Sequence, residues 1–231
     1  MKFLKLLFCL SALLFWSCSA ETEQEILSKL KDIPFGFSKN EARLLKDGEA
    51  LITVPNGRRR NLPVLFVFGG LYYANPSFMT QQVPGSFFKK AVIVFAPCAQ
   101  KGGFGYDFYM GRIRKILEKE GITLGKVTVC GFSAGGPDAL IAKDKDIKLI
   151  GLIDPNPVIP SQTKTKARIV AAYNIANWHD NSPALKMSIQ KQFSDYADWA
   201  KQKGGIVEEN SVQHQIFPKY FFYKYRSRLL N

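Results

Sequence analysis

Apolar residues occur in short blocks along the chain, and polar, helix-like stretches separate most of these blocks. Several blocks are continuous runs of five to nine residues that end in Gly, Pro or Cys, a pattern typical of strands buried on both faces. The strand-like segments are Ala50–Pro55, Leu62–Gly70, Ala91–Cys98, the run KVTVCG from Lys126, Ile147–Pro155, Ala167–Asn174 and the short GIVEEN from Gly205. The helix-like segments, with apolar residues three or four positions apart, are Glu21–Ile33, Asp107–Gly121, Ala134–Ala142, Pro183–Lys203 and Phe217–Leu230.

This alternation of strands and helices predicts an α/β fold with a mostly parallel central sheet and helices on both faces. The chain has 231 residues, enough for one domain with a full core. No break in composition marks a second domain, so we expect a single domain over residues 21–231. The intervals between strands are too short for a large cap domain.

Residues 1–20 have the layout of a secretory signal peptide. Lys2 and Lys5 precede an apolar run from Leu6 to Trp16, which is too short for an ordinary membrane span. Small residues before Glu21 fit signal cleavage there, whereas the stretch ending at Cys18 loosely resembles a bacterial lipobox and would place a lipid on that cysteine. An uncleaved anchor is the third interpretation. We expect an exported protein that is secreted, periplasmic or lipid-anchored at the cell surface, with no membrane contact other than such a lipid.

The chain is strongly basic. Its formal charge is +13, and removal of residues 1–20, which hold two lysines and no acid, leaves +11. A basic surface attracts anions, so an anionic substrate is plausible on charge grounds. The compact run Gly57–Asn61 lies between two strands and indicates a turn; no nucleic-acid-binding motif is present, and no nucleic-acid partner is expected.

Two cysteines, Cys98 and Cys130, lie outside the signal segment. Each follows a different strand-like run, and the expected sheet places another strand between those two runs. That separation is too large for a disulfide, so both thiols are expected to be free. A core of this size does not require a disulfide.

The stretch VTVCGFSAGGPDAL, from Val127 to Leu140, contains the pattern G-x-S-x-G around Ser133. The pattern alone is weak, but here it lies directly after a buried strand and before a helix, as a nucleophile elbow requires. The sharp turn admits only small neighbours of the serine, such as Gly131 and Gly135. The helix behind the serine offers backbone N–H groups to a developing oxyanion.

KVTVCGFSAGG, together with VLFVFGG upstream, resembles the α/β-hydrolase superfamily over nearly the whole chain from about residue 50. It is most similar to small esterases without a lid, such as the dienelactone-hydrolase-like, polyester-depolymerase-like and feruloyl-esterase-like members. The resemblance implies an oxyanion hole formed by the backbone N–H groups of Gly70 and Ala134. Many members have His where this chain has Phe68, but the hole consists of backbone groups and does not depend on that side chain.

The family carries its triad in the order Ser, acid, His. His214, between the last strand and the last helix, occupies the position of the base, whereas His179 lies close to the expected acid and is treated as a bystander. The resemblance favours Asp180, before the long helix, as the acid. Asp154, at the end of the preceding strand, is the alternative, and either aspartate has an ordinary structural explanation as a turn or cap residue.

The expected activity is cleavage of carboxylic esters by Ser133, His214 and Asp180 through an acyl-enzyme, without metal or cofactor. The substrate is expected to be a small-molecule or polymeric ester. A serine peptidase or acyltransferase of the same fold would share the triad, and a non-catalytic binding protein on this fold is a further alternative. Aromatic residues near the expected mouth either pack a substrate or belong to the core and loops: Tyr72, Tyr73, Phe104, Tyr106 and Trp178.

Overall fold

The computed structural model describes residues 21–57, 59–71, 76–163, 165–178 and 183–231. The expected signal segment, residues 1–20, therefore lies outside the described residues. The strands are β1 (Ala42–Asp47), β2 (Ala50–Pro55), β3 (Leu62–Phe68), β4 (Val92–Ala96), β5 (Leu124–Phe132), β6 (Ile147–Ile153), β7 (Arg168–Tyr173) and β8 (Ile206–Glu209). The helices are α1 (Glu23–Lys31), α2 (Pro76–Thr80), α3 (Gly85–Phe88), α4 (Tyr106–Lys119), α5 (Gly136–Ile141), α6 (Pro183–Gln202), α7 (Phe217–Lys224) and α8 (Arg226–Leu229).

The eight strands form one sheet in the order β1-β2-β4-β3-β5-β6-β7-β8. β1 pairs with β2, and β2 with β4, in antiparallel fashion, whereas all pairs from β4 to β8 are parallel. The parallel strands end along a common edge, here called the carboxyl edge. Their first residues lie along the opposite, amino edge.

Successive residues of β3 point to opposite faces of the sheet, and both faces are buried. Phe66 packs on the face covered by α4, α5 and α6, and its neighbour Leu65 packs on the face covered by α1, α2, α3, α7 and α8. The expected mostly parallel sheet with helices on both faces is confirmed. Among the described residues there is no large cap domain.

Three features of the fold differ from the sequence expectation. The edge strand β1 was not predicted, nor were the short helices α2 and α3. The expected last helix is two helices, because Tyr225 departs from helical geometry between α7 and α8.

Cys98 and Cys130 are free and fully buried. Cys98 follows β4 and Cys130 lies in β5, with β3 between these strands. The expectation of two unpaired thiols is therefore confirmed for this part of the chain.

Candidate active site

Ser133 lies in a turn between β5 and α5, at the carboxyl edge of the sheet. Its backbone has a φ of 52°, a left-handed conformation that a non-glycine residue rarely adopts. A Cβ atom at Gly131 would lie 2.1 Å from the carbonyl oxygen of Gly135, and one at Gly135 would lie 2.7 Å from the carbonyl oxygen of Phe68. The glycines of the G-x-S-x-G pattern therefore permit the close backbone approach that this turn requires.

Gly70 lies directly against the serine. β3 and β5 are neighbours, with Phe68 paired to Gly131, and a Cβ atom at Gly70 would lie 2.8 Å from Ser133 Cβ. Ala134 is the second residue of the one-turn 3-10 helix Ser133–Gly135. The structure thus brings the expected oxyanion residues, Gly70 and Ala134, to the two sides of Ser133.

His214 lies in the loop between β8 and α7. Its Nδ1 atom is 2.6 Å from Oδ2 of Asp154, and its side chain remains 27% exposed. The ring packs over Phe132, with 4.6 Å between ring centroids, and its edge meets Trp178 at 5.6 Å and 83°. Two aromatic rings therefore hold the imidazole beside the residue that precedes Ser133.

Asp154 directly follows β6 and is the counterpart of Ser133 on the neighbouring strand. Phe132 pairs with Ile153, so the serine and the aspartate are the next residues along two parallel strands. Asp154 also has a positive φ, 39°, and Asn156 N–H donates to the carbonyl oxygen of Ser133 at 3.0 Å. The carboxyl edge thus collects the serine, the aspartate and, through its contact with the aspartate, the histidine.

The Asp154 carboxylate is fully buried and accepts hydrogen bonds on both oxygens. Oδ1 accepts from the backbone N–H of Asn174 at 2.9 Å and from Trp178 Nε1 at 3.2 Å. Oδ2 accepts from Asn177 Nδ2 at 2.6 Å, in addition to its contact with His214. A buried carboxylate is costly unless it is hydrogen-bonded, and these donors meet that requirement.

The same asparagines also fix the histidine loop. Asn174 Nδ2 and Asn177 Nδ2 both donate to the carbonyl oxygen of Val212, each at 3.0 Å. Val212 is two residues before His214, and its own N–H donates to Asn210 Oδ1. The turn after β7 therefore connects the aspartate to the backbone that carries the histidine.

The preferred acid, Asp180, lies outside the described residues, as does His179. The alternative acid, Asp154, is the carboxylate that contacts His214. Another buried acid, Asp138 of α5, accepts from the backbone N–H of Ala99 at 2.9 Å, and burial raises the pKa of its carboxyl group. That hydrogen bond holds Asp138 to the turn after β4 rather than to the histidine.

The aromatic candidates have different surroundings. Tyr106 is buried and its hydroxyl donates to Asp144 at 3.0 Å, so it belongs to the core. Phe104 is exposed and stacks on Phe108 at 4.1 Å. Trp178 contacts both Asp154 and His214, whereas Tyr72 and Tyr73 lie outside the described residues.

Sequence reasoning missed Asn174 and Asn177 altogether. Their spacing in NIANW, a turn directly after a buried strand, was the only available signal, and asparagine is common in any turn. Within the described ranges, no cluster of His, Cys, Asp and Glu could hold a metal ion. The helices of that part of the chain include none long and apolar enough to cross a membrane.

No protein-family model and no curated protein matches the chain. Solved structures do. A siderophore hydrolase, EstB from Aspergillus nidulans, has a TM-score of 0.53 at 10% identity, with 82% of this chain and 94% of that chain covered. An IroE-like serine hydrolase from Shewanella oneidensis has a TM-score of 0.50 at 15% identity, covering 82% and 79%. A ferulic acid esterase has a TM-score of 0.50 at 12% identity, covering 81% and 94%.

The chain has the α/β-hydrolase fold. Three candidate residues follow strands of this fold at the carboxyl edge: Ser133 follows β5, Asp154 follows β6 and His214 follows β8. Ligands of parallel α/β sheets bind outside that edge, where loops and helix N-termini meet. At these identities the similarity concerns the fold, so the chemistry has to be argued from the residues themselves.

Proposed function

We propose that this protein is a serine hydrolase that cleaves carboxylic esters with Ser133, His214 and Asp154. The contact of 2.6 Å between His214 Nδ1 and Asp154 Oδ2 carries the proposal. It occurs at the sheet edge where Ser133 adopts a strained turn, and strain of this kind persists mainly at functional sites. Asp154 thus takes the role that the sequence resemblance gave to Asp180.

The contact between Asp154 and His214 determines which ring nitrogen of the neutral histidine carries the proton. Asp154 is acceptor-only when ionised, so Nδ1 of His214 carries the proton that it donates. Nε2 is then left with a lone pair, which suits a general base. The aspartate orients the ring and stabilises the imidazolium that forms during the reaction.

The reaction proceeds in two halves. Ser133 Oγ attacks the ester carbonyl carbon while Nε2 of His214 takes its proton; Nε2 then returns that proton to the departing alcohol, leaving an acyl-enzyme. A water molecule attacks the acyl carbon by the same route, giving its proton to Nε2. That proton returns to Ser133 Oγ as the acid product leaves.

Negative charge develops on the carbonyl oxygen in each half. The backbone N–H groups of Gly70 and Ala134, two residues that adjoin Ser133, would donate to that oxygen. Oxyanion donors of this type contribute about 10²–10³-fold to kcat each. The absence of a Cβ atom at Gly70 keeps its backbone in contact with the serine.

A fluorophosphonate probe together with a short-chain aryl ester tests the proposal. The wild-type chain should be labelled and should hydrolyse the ester, and Ser133→Ala should abolish labelling and lower kcat by about 10⁴-fold or more. Ser77→Ala, on α2, is the matched control and should retain both. A wild-type protein that neither labels nor turns over would overturn the proposal, and parallel anilide substrates would distinguish an esterase from a peptidase.

A further inference from the structure

Exposed cations gather at the amino edge of the sheet, on the side of the molecule opposite Ser133. Seven of them lie on or beside the first residues of β5, β6 and β7, or on α8: Lys126, Lys143, Lys145, Lys148, Lys166, Arg168 and Arg228. We call these seven residues the basic face. Lys126 of β5 precedes Ser133 by seven positions, a distance of about 23 Å at the usual rise per residue.

Shared hollows show that the basic face is one continuous surface. A hollow of about 470 Å³ is lined by Lys143, Lys145, Lys148, Lys166 and Arg168 together with neighbouring residues. A second hollow, about 260 Å³, is lined by Lys126, Lys148, Arg168 and Arg228. Because Lys148 and Arg168 line both, the cations of the two hollows adjoin one another.

The charge of the basic face is largely uncompensated. Among the described residues, no acidic side chain forms an ion pair with any of the seven cations. The nearby acids Asp144 and Asp146 are both paired with Arg114, at 2.6 and 3.3 Å. Lys148 Nζ donates to the carbonyl oxygen of Lys145 at 2.8 Å, and Lys126 Nζ donates to a main-chain oxygen of Asn231, the last residue of the sequence, at 2.9 Å.

The described part of the chain begins close to α8. Glu21, the first described residue, lines a hollow with Tyr223, Lys224 and Arg226, and Lys29 fixes it through an ion pair of 2.6 Å. Arg226 and Arg228 lie together on α8. The described chain therefore begins near α8, the helix that carries Arg228 of the basic face.

We propose that the basic face binds the surface of an anionic lipid bilayer and leaves the carboxyl edge, with Ser133, facing away from it. Each lysine or arginine near an anionic bilayer strengthens binding about fivefold. Two signals, a charge patch and an apolar or lipidated segment, are what stable membrane attachment requires. Charge complementarity selects an anionic surface, and the attachment of residues 1–20 at Glu21, near α8, favours a lipid surface over a soluble polyanion.

Vesicle co-sedimentation tests this with a chain of residues 21–231, which contains the complete buried core and removes the apolar segment as a confounding cause of binding. Vesicles of phosphatidylcholine alone are compared with vesicles containing phosphatidylglycerol. We expect binding only to the anionic vesicles, weakened by salt because the charges are exposed. Lys148→Glu with Arg168→Glu should weaken the binding by about 25-fold or more.

The matched control is Lys46→Glu with Lys101→Glu, the same charge change on two exposed lysines towards the carboxyl edge, which should weaken binding much less. Both double variants should keep wild-type esterase activity, a readout that also shows that they fold. Equal binding to neutral vesicles, or equal losses in the two double variants, would overturn the proposal. Binding to dextran sulfate without binding to anionic vesicles would also overturn it, because the face would then serve a soluble polyanion.

Discussion

Asp154 combines full burial with four hydrogen-bond donors, so both oxygens of its carboxylate have partners. Two of the donors come from the side chains of Asn177 and Trp178, one is the backbone N–H of Asn174, and the fourth is the histidine. Hydrogen bonds to a charged acceptor are worth about 1.5–3 kcal/mol each. The proposed catalytic acid therefore depends on the turn after β7 as much as on its own strand.

The first prediction compares the two candidate acids. Asp154→Asn should lower kcat about 10⁴-fold, because an amide in this position allows the wrong tautomer of His214. Asp180→Asn should change kcat by only a few-fold. Steady-state kinetics on a short-chain ester measures both, and a large loss in Asp180→Asn with none in Asp154→Asn would reverse the assignment.

The second prediction concerns Asn177 as a positioning residue. Asn177→Ala should lower kcat about 10-fold or more with KM unchanged, because it removes a donor to Asp154 Oδ2 and so acts through the orientation of His214. Asn174→Ala is the matched control: it removes the side-chain bonds to Val212 and Asn177 and the bond accepted from the Ala176 N–H, but its backbone N–H still reaches Asp154. Equal kcat losses in the two variants would show that the hydrogen bonds to Val212, rather than the hydrogen bond from Asn177 to Asp154, support kcat.

Ser133 could be predicted from the sequence because its signal is local: the glycines, the preceding strand and the following helix are all within about ten residues. The acid could not be predicted in the same way. Asp154 and Asp180 both lie near turns at the ends of strand-like segments, and only the spatial arrangement of β6, β7 and β8 determines which carboxylate is near His214. Asp154 and His214 are 60 residues apart in the sequence, so no local sequence pattern indicates their contact.

At the scale of elements, the buried strands were predictable and the edge strand was not. The sequence of β1 is ARLLKD, which has neither a continuous apolar run nor strict alternation of apolar and polar residues. This pattern is permitted because β1 is an edge strand in which Arg43, Leu44 and Lys46 are exposed. The hairpin signal was available: Asp47 pairs with Ala50 across Gly48 and Glu49, and Gly48 has a φ of 58°. A two-residue loop with such a glycine is typical of a tight hairpin.

β8 is attached to α7 through Glu208, which supports the third prediction. Burial raises the pKa of this carboxyl group, but hydrogen bonds from Lys224, Tyr220 and Tyr225 outweigh it and hold the pKa below its usual 4.5. A lowered pKa in the folded state means that the charged form stabilises the fold. This contribution is present above about pH 4.5 and is lost as the pH falls through the folded-state pKa.

Glu208→Gln should therefore lower the free energy of unfolding by about 1–2 kcal/mol at pH 7, a range that allows for partial solvent screening. The difference from wild type should shrink as the pH falls through the lowered folded-state pKa of Glu208. Urea unfolding at several pH values measures it. Glu209→Gln, an exposed neighbour on the same strand, is the control, and an equal pH dependence in both variants would contradict the prediction.

At the scale of the whole molecule, the sheet has two chemically distinct edges. The carboxyl edge holds a buried carboxylate, a partly exposed imidazole and a strained serine, whereas the amino edge holds exposed cations. The parallel arrangement explains this separation, since every strand from β4 to β8 starts at one edge and ends at the other. The sequence predicted a mostly parallel sheet but not the order of its strands. The charged amino edge could not be predicted either, because it is assembled from segments far apart in the chain.

The reactivity of the two buried thiols, Cys98 and Cys130, can be used to measure how often the sheet opens. Burial raises the pKa of both Cys98 and Cys130, so neither is a reactive thiolate while the sheet is intact. An alkylating reagent can reach Cys130 only when the centre of the sheet separates, and its rate of modification then follows the frequency of that event.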